Sequence, residues 1–262
     1  MPPLPWRKSA AEPDDAARPG PDATADTANL GELVARVADD DGDRKAQLVA
    51  LARGLGAGTR QVAGSGFRGV GTLLADVLTD AAPRLRIRDA ATLRRHHPGL
   101  TDEQIADVLT RNAARATAAF GAAVGALAAV EFAAPPTLLA APVQLAAETL
   151  AVSATEIKLV AELHELLGQA APGTGSERAG AYVMSWVRQR AVDPMAGVAG
   201  LSSVLGLAGK RELRSMLTRR ATRGVTKLAP FLAGAVAGGV VNRRATRSLG
   251  EKLTAELRGR RH

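Results

Sequence analysis

The most regular pattern of apolar and polar positions begins at Thr101. Ile105, Val108 and Leu109 recur at helical spacing, and Asp107, Arg111 and Arg115 occupy the other side. Thr101-Asp102-Glu103-Gln104 has the spacing of a capping box, with Thr101 as N-cap and Gln104 reaching back. From Ala118 to Val130 the pattern becomes apolar all round, and Pro135-Pro136 ends it. This predicts one long helix from Thr101 to about Ala134. A second follows, with Pro142 in its first turn and Gly168 as its C-terminal stop. Its apolar stripe is Leu145, Val152, Leu159, Leu163 and Leu166, and it runs antiparallel to the first.

Shorter helical patterns surround this pair. Leu30–Ala38, Arg44–Arg53, Gly71–Leu78 and Ile87–His96 precede it, and Ser176–Arg190 and Lys210–Arg223 follow. Asp193 caps and Pro194 opens a further helix ending at Gly209, and a glycine-interrupted one spans Pro230 to about Arg258. No period-two alternation bounded by hairpin signals appears, so strands are not needed. The expectation is an all-α, multi-helix bundle with two long antiparallel helices and a Gly/Ala-rich C-terminal helix. Residues 1–28 are acidic and proline-rich with no apolar period, which predicts disorder. Residues 29–100 read as short helices around a glycine-rich loop, and residues 101–258 as the main helical domain.

Composition changes the picture of the core. Of 262 residues 46% are hydrophobic, yet only 3% are aromatic. Such a core consists of Ala, Leu, Val and Gly, and depends on close backbone approach rather than on large anchors. Both apolar runs carry a GxxxG, Gly121 with Gly125 and Gly234 with Gly238. Spacing four sets each pair of glycines on one helix face, predicting a tight crossing of the two helices.

The same runs raise the question of a membrane. Ala118–Val130 has 13 residues and Leu228–Val241 has 14, both short of the roughly 20 that span a bilayer. Buried helices are the first expectation and reversible insertion at a surface the second. Charge favours an anionic partner at one end of the chain. Met1–Asp43 holds 4 basic and 10 acidic residues, whereas Lys210–His262 holds 14 basic and 3 acidic. Arg219, Arg220, Arg223 and Lys227 precede or flank the second apolar run, and Arg243, Arg244 and Arg247 follow it, positions suited to a membrane head-group layer or another anion. Arginine outnumbers lysine throughout, however, so part of this basicity is compositional. No secretory h-region follows Arg7 and Lys8, which makes a cytoplasmic location the expectation.

Candidate chemistry is sparse. The chain has no cysteine, removing disulfides and thiolate metal sites. Gly64-Ser65-Gly66-Phe67-Arg68-Gly69 matches G-x-G-x-x-G, but no hydrophobic strand precedes it, and a loop or small-residue helix contact is the better reading. His96-His97-Pro98-Gly99 reads as a helix stop. On the second long helix Glu148 falls inside the apolar stripe and Glu156 at its edge, and Arg111 and Arg115 on the neighbouring helix are the expected partners of a buried ion pair. No catalytic, metal or cofactor set is predicted.

The segment Lys227-Leu-Ala-Pro-Phe-Leu-Ala-Gly-Ala-Val-Ala-Gly-Gly-Val-Val-Asn242-Arg-Arg-Ala-Thr246-Arg-Ser-Leu-Gly250 resembles the closing motif of the EcsC protein family. There a Lys-(apolar)-Pro start leads to a glycine-rich helix, an Asn and a Thr/Arg segment. The helix carrying Glu148 and the one carrying Arg178 also look like that family, so the resemblance covers roughly Thr101–Arg258. It implies an all-helical protein without established enzymatic activity, in an accessory role at the cytoplasmic membrane face. The expected partner is an anionic membrane surface or a membrane protein. Two alternatives stand beside it: nucleic-acid binding through the C-terminal arginines, and a small-ligand or enzymatic role around Glu148.

Overall fold

The pattern of long amphipathic segments folds as helices throughout. A computed structural model describes residues 21–39, 43–62, 66–132, 141–190, 211–219 and 234–260, and no strand occurs among them. The elements are α1 (Pro21–Asp39), α2 (Arg44–Val62), α3 (Gly66–Ala81), a 3-10 turn (Ala82–Arg84), α4 (Ala90–His96), α5 (Asp102–Phe132), α6 (Ala141–Leu166), α7 (Gly175–Arg190), α8 (residues 211–219) and α9 (Gly234–Gly259). Most of the expected N-terminal tail, the whole expected helix Asp193–Gly209, and residues 220–233 lie outside the described residues.

The end signals work through named bonds. Thr101 N–H donates to Gln104 Oε1 at 2.9 Å and Gln104 N–H to Thr101 Oγ1 at 3.3 Å, the reciprocal pair of a capping box. Asp89 caps α4 by accepting from Thr92 N–H at 2.7 Å, which holds its carboxyl below the usual range. At the end of α6, Gly168 takes a left-handed φ of 68°. Gln169 N–H then reaches His164 O at 2.9 Å and Gly168 N–H reaches Glu165 O at 3.2 Å, a Schellman closure that only a residue without Cβ adopts cheaply.

The glycine-dense stretch 54–71 differs from expectation. Most of it is helical, divided between the end of α2 and the start of α3. Leu51 and Leu55 on one side and Leu74 and Leu78 on the other are fully buried. Their burial outweighs the helix propensity that glycine loses, roughly 1 kcal/mol per residue.

α6 is the axis. Helices α1, α2, α3, α5, α7 and α9 all pack against it, and from Gln144 to Leu163 few of its side chains reach solvent. One continuous apolar cluster joins Leu30 and Leu51 to Ile157, Trp186 and Leu253, so residue 100 divides the sequence pattern but not the core. The most extensive helix pair is α5 with α9.

Candidate functional site

The α5–α9 pair is antiparallel and close enough for backbones to touch. A Cβ added at Gly121 would lie 2.7 Å from the carbonyl carbon and oxygen of Gly238, and one at Gly239 would lie 3.0 Å from Ala118 O. The glycines exist because no larger residue fits at this separation. The register continues downward, with Thr117 level with Asn242, Thr110 packed on Gly250, and Arg258 3.5 Å from Glu103.

Beside the glycine crossing, a polar chain runs through the core. Asn242 Nδ2 donates to Glu148 Oε1 at 2.7 Å and to Thr117 O at 3.3 Å. Thr246 Oγ1 donates to Glu156 Oε1 at 2.7 Å and lies 2.9 Å from Thr117 Oγ1. Glu156 also accepts from Trp186 Nε1 at 2.9 Å and Arg190 Nε at 3.0 Å, and Arg190 Nη2 reaches its second oxygen. Trp186, Arg190 and Thr246 all donate to this carboxylate, an arrangement that favours its ionised form. Helices α5, α6, α7 and α9 meet at these few atoms.

This corrects the expected ion pair. Glu156, placed at the edge of the apolar stripe, is 0% exposed, while Glu148, placed inside it, is only half-buried. The cation at Glu156 is Arg190, not Arg111 or Arg115. The reason is the facing of α5: Ile105, Leu109, Thr117 and Phe120 turn inward, which leaves Arg111 and Arg115 on the solvent side. Arg111 pairs there with Asp107 one turn away at 2.8 Å. Trp186 and Arg190, four apart on α7, approach α6 on one face. No spacing within α6 identified that helix as the donor.

The other charged residues of the second half of α6 are paired across elements in the same way, while the buried Ser153 hydroxyl has no hydrogen-bond partner among the described residues. The Arg88 guanidinium makes two bonds to Glu162, at 2.8 and 2.7 Å, its backbone N–H adds a third at 3.4 Å, and Lys158 pairs with Asp39 of α1. Tyr182 O–H donates to Glu165 at 2.6 Å, and burial together with this bond pushes the phenol up to about 12. His164 Nδ1 sits 3.0 Å from Gln169 O and Nε2 sits 3.0 Å from Ser185 Oγ. With Nδ1–H donating to the carbonyl, Nε2 accepts the Ser185 hydroxyl proton. That is the pairing of a base with a nucleophile, but Ser185 is 6% exposed and faces the core, so the arrangement joins α6 to α7. Among the described residues no cluster of His, Asp or Glu could hold a metal ion.

The outer face of the α5–α9 pair has the opposite character. Val240 and Val241 are 41% and 43% exposed, and Ala122 of α5 is exposed at about their level. One to two turns along α9 come exposed Arg243, Arg244 and Arg247. At 100° per residue, all three lie within about 60° of Val240. Arg111 and Arg115 stand beside them, and Arg111, Arg115, Arg243 and Arg247 surround a notch of about 30 Å³ floored by Ala114. Arg247 pairs with Glu251 one turn on at 2.8 Å, whereas Arg115, Arg243 and Arg244 have no acidic partner among the described residues.

The remaining predicted positions are dispersed. Arg219 pairs with Glu212 of its own helix at 3.2 Å, and Arg220, Arg223 and Lys227 lie outside the described residues. Compared with models of known protein families, with curated proteins and with solved structures, the chain matches none. No helix among the described residues is long and apolar enough to cross a membrane.

Proposed function

We propose that this chain is a non-enzymatic helical accessory protein that attaches peripherally to an anionic membrane face through the outer surface of α5 and α9. The carrying observation is exposed Val240 one turn from Arg243 and Arg244 on one face of α9, with exposed Val241 next to it. An apolar patch beside arginines fits the boundary between acyl chains and phosphate, because the valines gain by leaving water while the guanidiniums stay at head-group level. The resemblance to the EcsC family points the same way. The carboxylates that an enzymatic role would use are occupied: Glu148 accepts from Asn242 and Glu156 from three side chains that join helices.

Fractionation of cells expressing the full chain tests this reading. The protein is expected in the membrane pellet at low salt, released by high salt or carbonate, and less retained when Val240 and Val241 are both replaced by Ser. Finding it wholly in the soluble fraction at low salt would overturn the proposal. Release by nuclease rather than salt would favour the nucleic-acid alternative.

A further inference from the structure

The arginine notch points to a more specific ligand for this surface. Its four guanidiniums come from two helices locked together within three turns by the Gly121–Gly238 approach and the Thr117–Thr246 bond. The backbone positions that carry them are therefore fixed before any ligand arrives, so only side-chain ordering is left to the binding step. Asp107 and Glu251 each engage one of the four, Arg111 and Arg247, and leave both largely exposed. Arg115 and Arg243 bring positive charge that no described acid offsets. Like charges gathered around one floor residue repel each other, and an anion seated between them removes that repulsion.

The size of the notch narrows the choice. A space of about 30 Å³ has room for one or two water-sized atoms, which suits the terminal oxygens of a phosphate. Guanidinium forks match phosphate oxygens in pairs. We infer that Arg111, Arg115, Arg243 and Arg247 form an oxyanion site that takes the phosphate of a phospholipid, with a monoester head group preferred over a diester. The lipid source follows from the neighbouring apolar patch, since Val240 lies on the same α9 face as Arg243 and Arg247. This inference rests on the proposed membrane attachment.

Cosedimentation of the full chain separates the two ideas. Three vesicle types are used: phosphatidylcholine alone, with phosphatidylglycerol, and with phosphatidic acid. Binding is expected in the order phosphatidic acid, phosphatidylglycerol, phosphatidylcholine. The double variant Arg115→Gln/Arg243→Gln should lose about tenfold or more on phosphatidic acid, at an unchanged melting temperature. The control Arg258→Gln/Arg260→Gln removes the same charge from the far end of α9. If the control loses as much as the notch variant, or if phosphatidic acid and phosphatidylglycerol bind alike, the site is wrong while membrane attachment stands. If wild type binds no anionic vesicle, attachment itself fails. Calorimetry with inorganic phosphate then reports on the notch, and binding there without vesicle binding would replace the lipid by a free phosphate.

Discussion

Charges on α6 and charges on the outer face of α5 and α9 follow different rules. Inside, each ionised group described has a partner from another element: Glu156 with Arg190, Glu162 with Arg88, Lys158 with Asp39, Glu165 with Arg178 and Tyr182. Outside, guanidiniums outnumber carboxylates around the notch, and two of them have no acidic partner among the described residues. Desolvation explains the contrast. A buried ion left alone costs several kcal/mol, so the interior tolerates only matched sets. Water screens the surface ions, so an excess of one sign persists there and remains available to a ligand.

Unmatching one interior pair should have the largest effect. Glu156→Ala leaves Arg190, Trp186 Nε1 and Thr246 without their common acceptor, and urea unfolding should show a loss of about 4 kcal/mol. A loss below about 1 kcal/mol would mean that solvent reaches this centre and that the interior rule does not hold there.

A smaller effect is expected at the helix crossing. Gly121→Ala forces a methyl group against the Gly238 carbonyl, where backbone must move, and should destabilise by about 2 kcal/mol. The same change at Gly56, which has nothing within 4 Å of its new Cβ, should be neutral or stabilising by up to about 1 kcal/mol. Equal responses at the two sites would remove the reason given for the α5–α9 approach. The notch substitutions Arg115→Gln and Arg243→Gln belong at the far end of this scale in stability, though not in vesicle binding.

The smallest effect tests the α6–α7 seam by pH. Burial lowers the His164 pKa below the ordinary imidazole value, with Arg260 and Arg188 adding to the shift and the Gln169 carbonyl and Glu256 opposing it. The unfolded chain therefore takes up this proton first as pH falls. The stabilisation is complete above the unfolded value of about 6.5 and declines as pH drops from there toward the lower folded value. Melting temperatures of wild type should fall more steeply than those of His164→Gln across that window. Parallel curves would show that His164 is freely hydrated.

Much of the fold was legible because its signals are local. The capping box at Thr101, the stop at Gly168 and the pattern of α5 and α6 each depend on residues within one or two turns. The GxxxG spacing marked both faces of the crossing, and the structure places Gly121 against Gly238. The polar centre was less legible. Helical phase places Glu148 and Glu156 close together on one side of α6, and phase alone cannot say which of them a neighbour covers. Arg111 and Arg115 were plausible partners by chain proximity, but Arg190, 34 residues from Glu156, does the pairing. The glycine-dense stretch misled for a related reason, since propensity argued for a loop and burial of Leu55 and Leu74 decided for helix.

By itself, then, the sequence determined that this chain is helical, where α5 begins and α6 stops, and that small residues would bring two of its helices into contact. These properties follow from bonds and spacings short enough to read along one strand of text. Tertiary structure alone decided which carboxylate is buried, which cation reaches it, and which arginines gather on Ala114. Those outcomes depend on how separate helices are rotated and set against each other, and the energy of an ion depends on that setting more than on its neighbours in the chain.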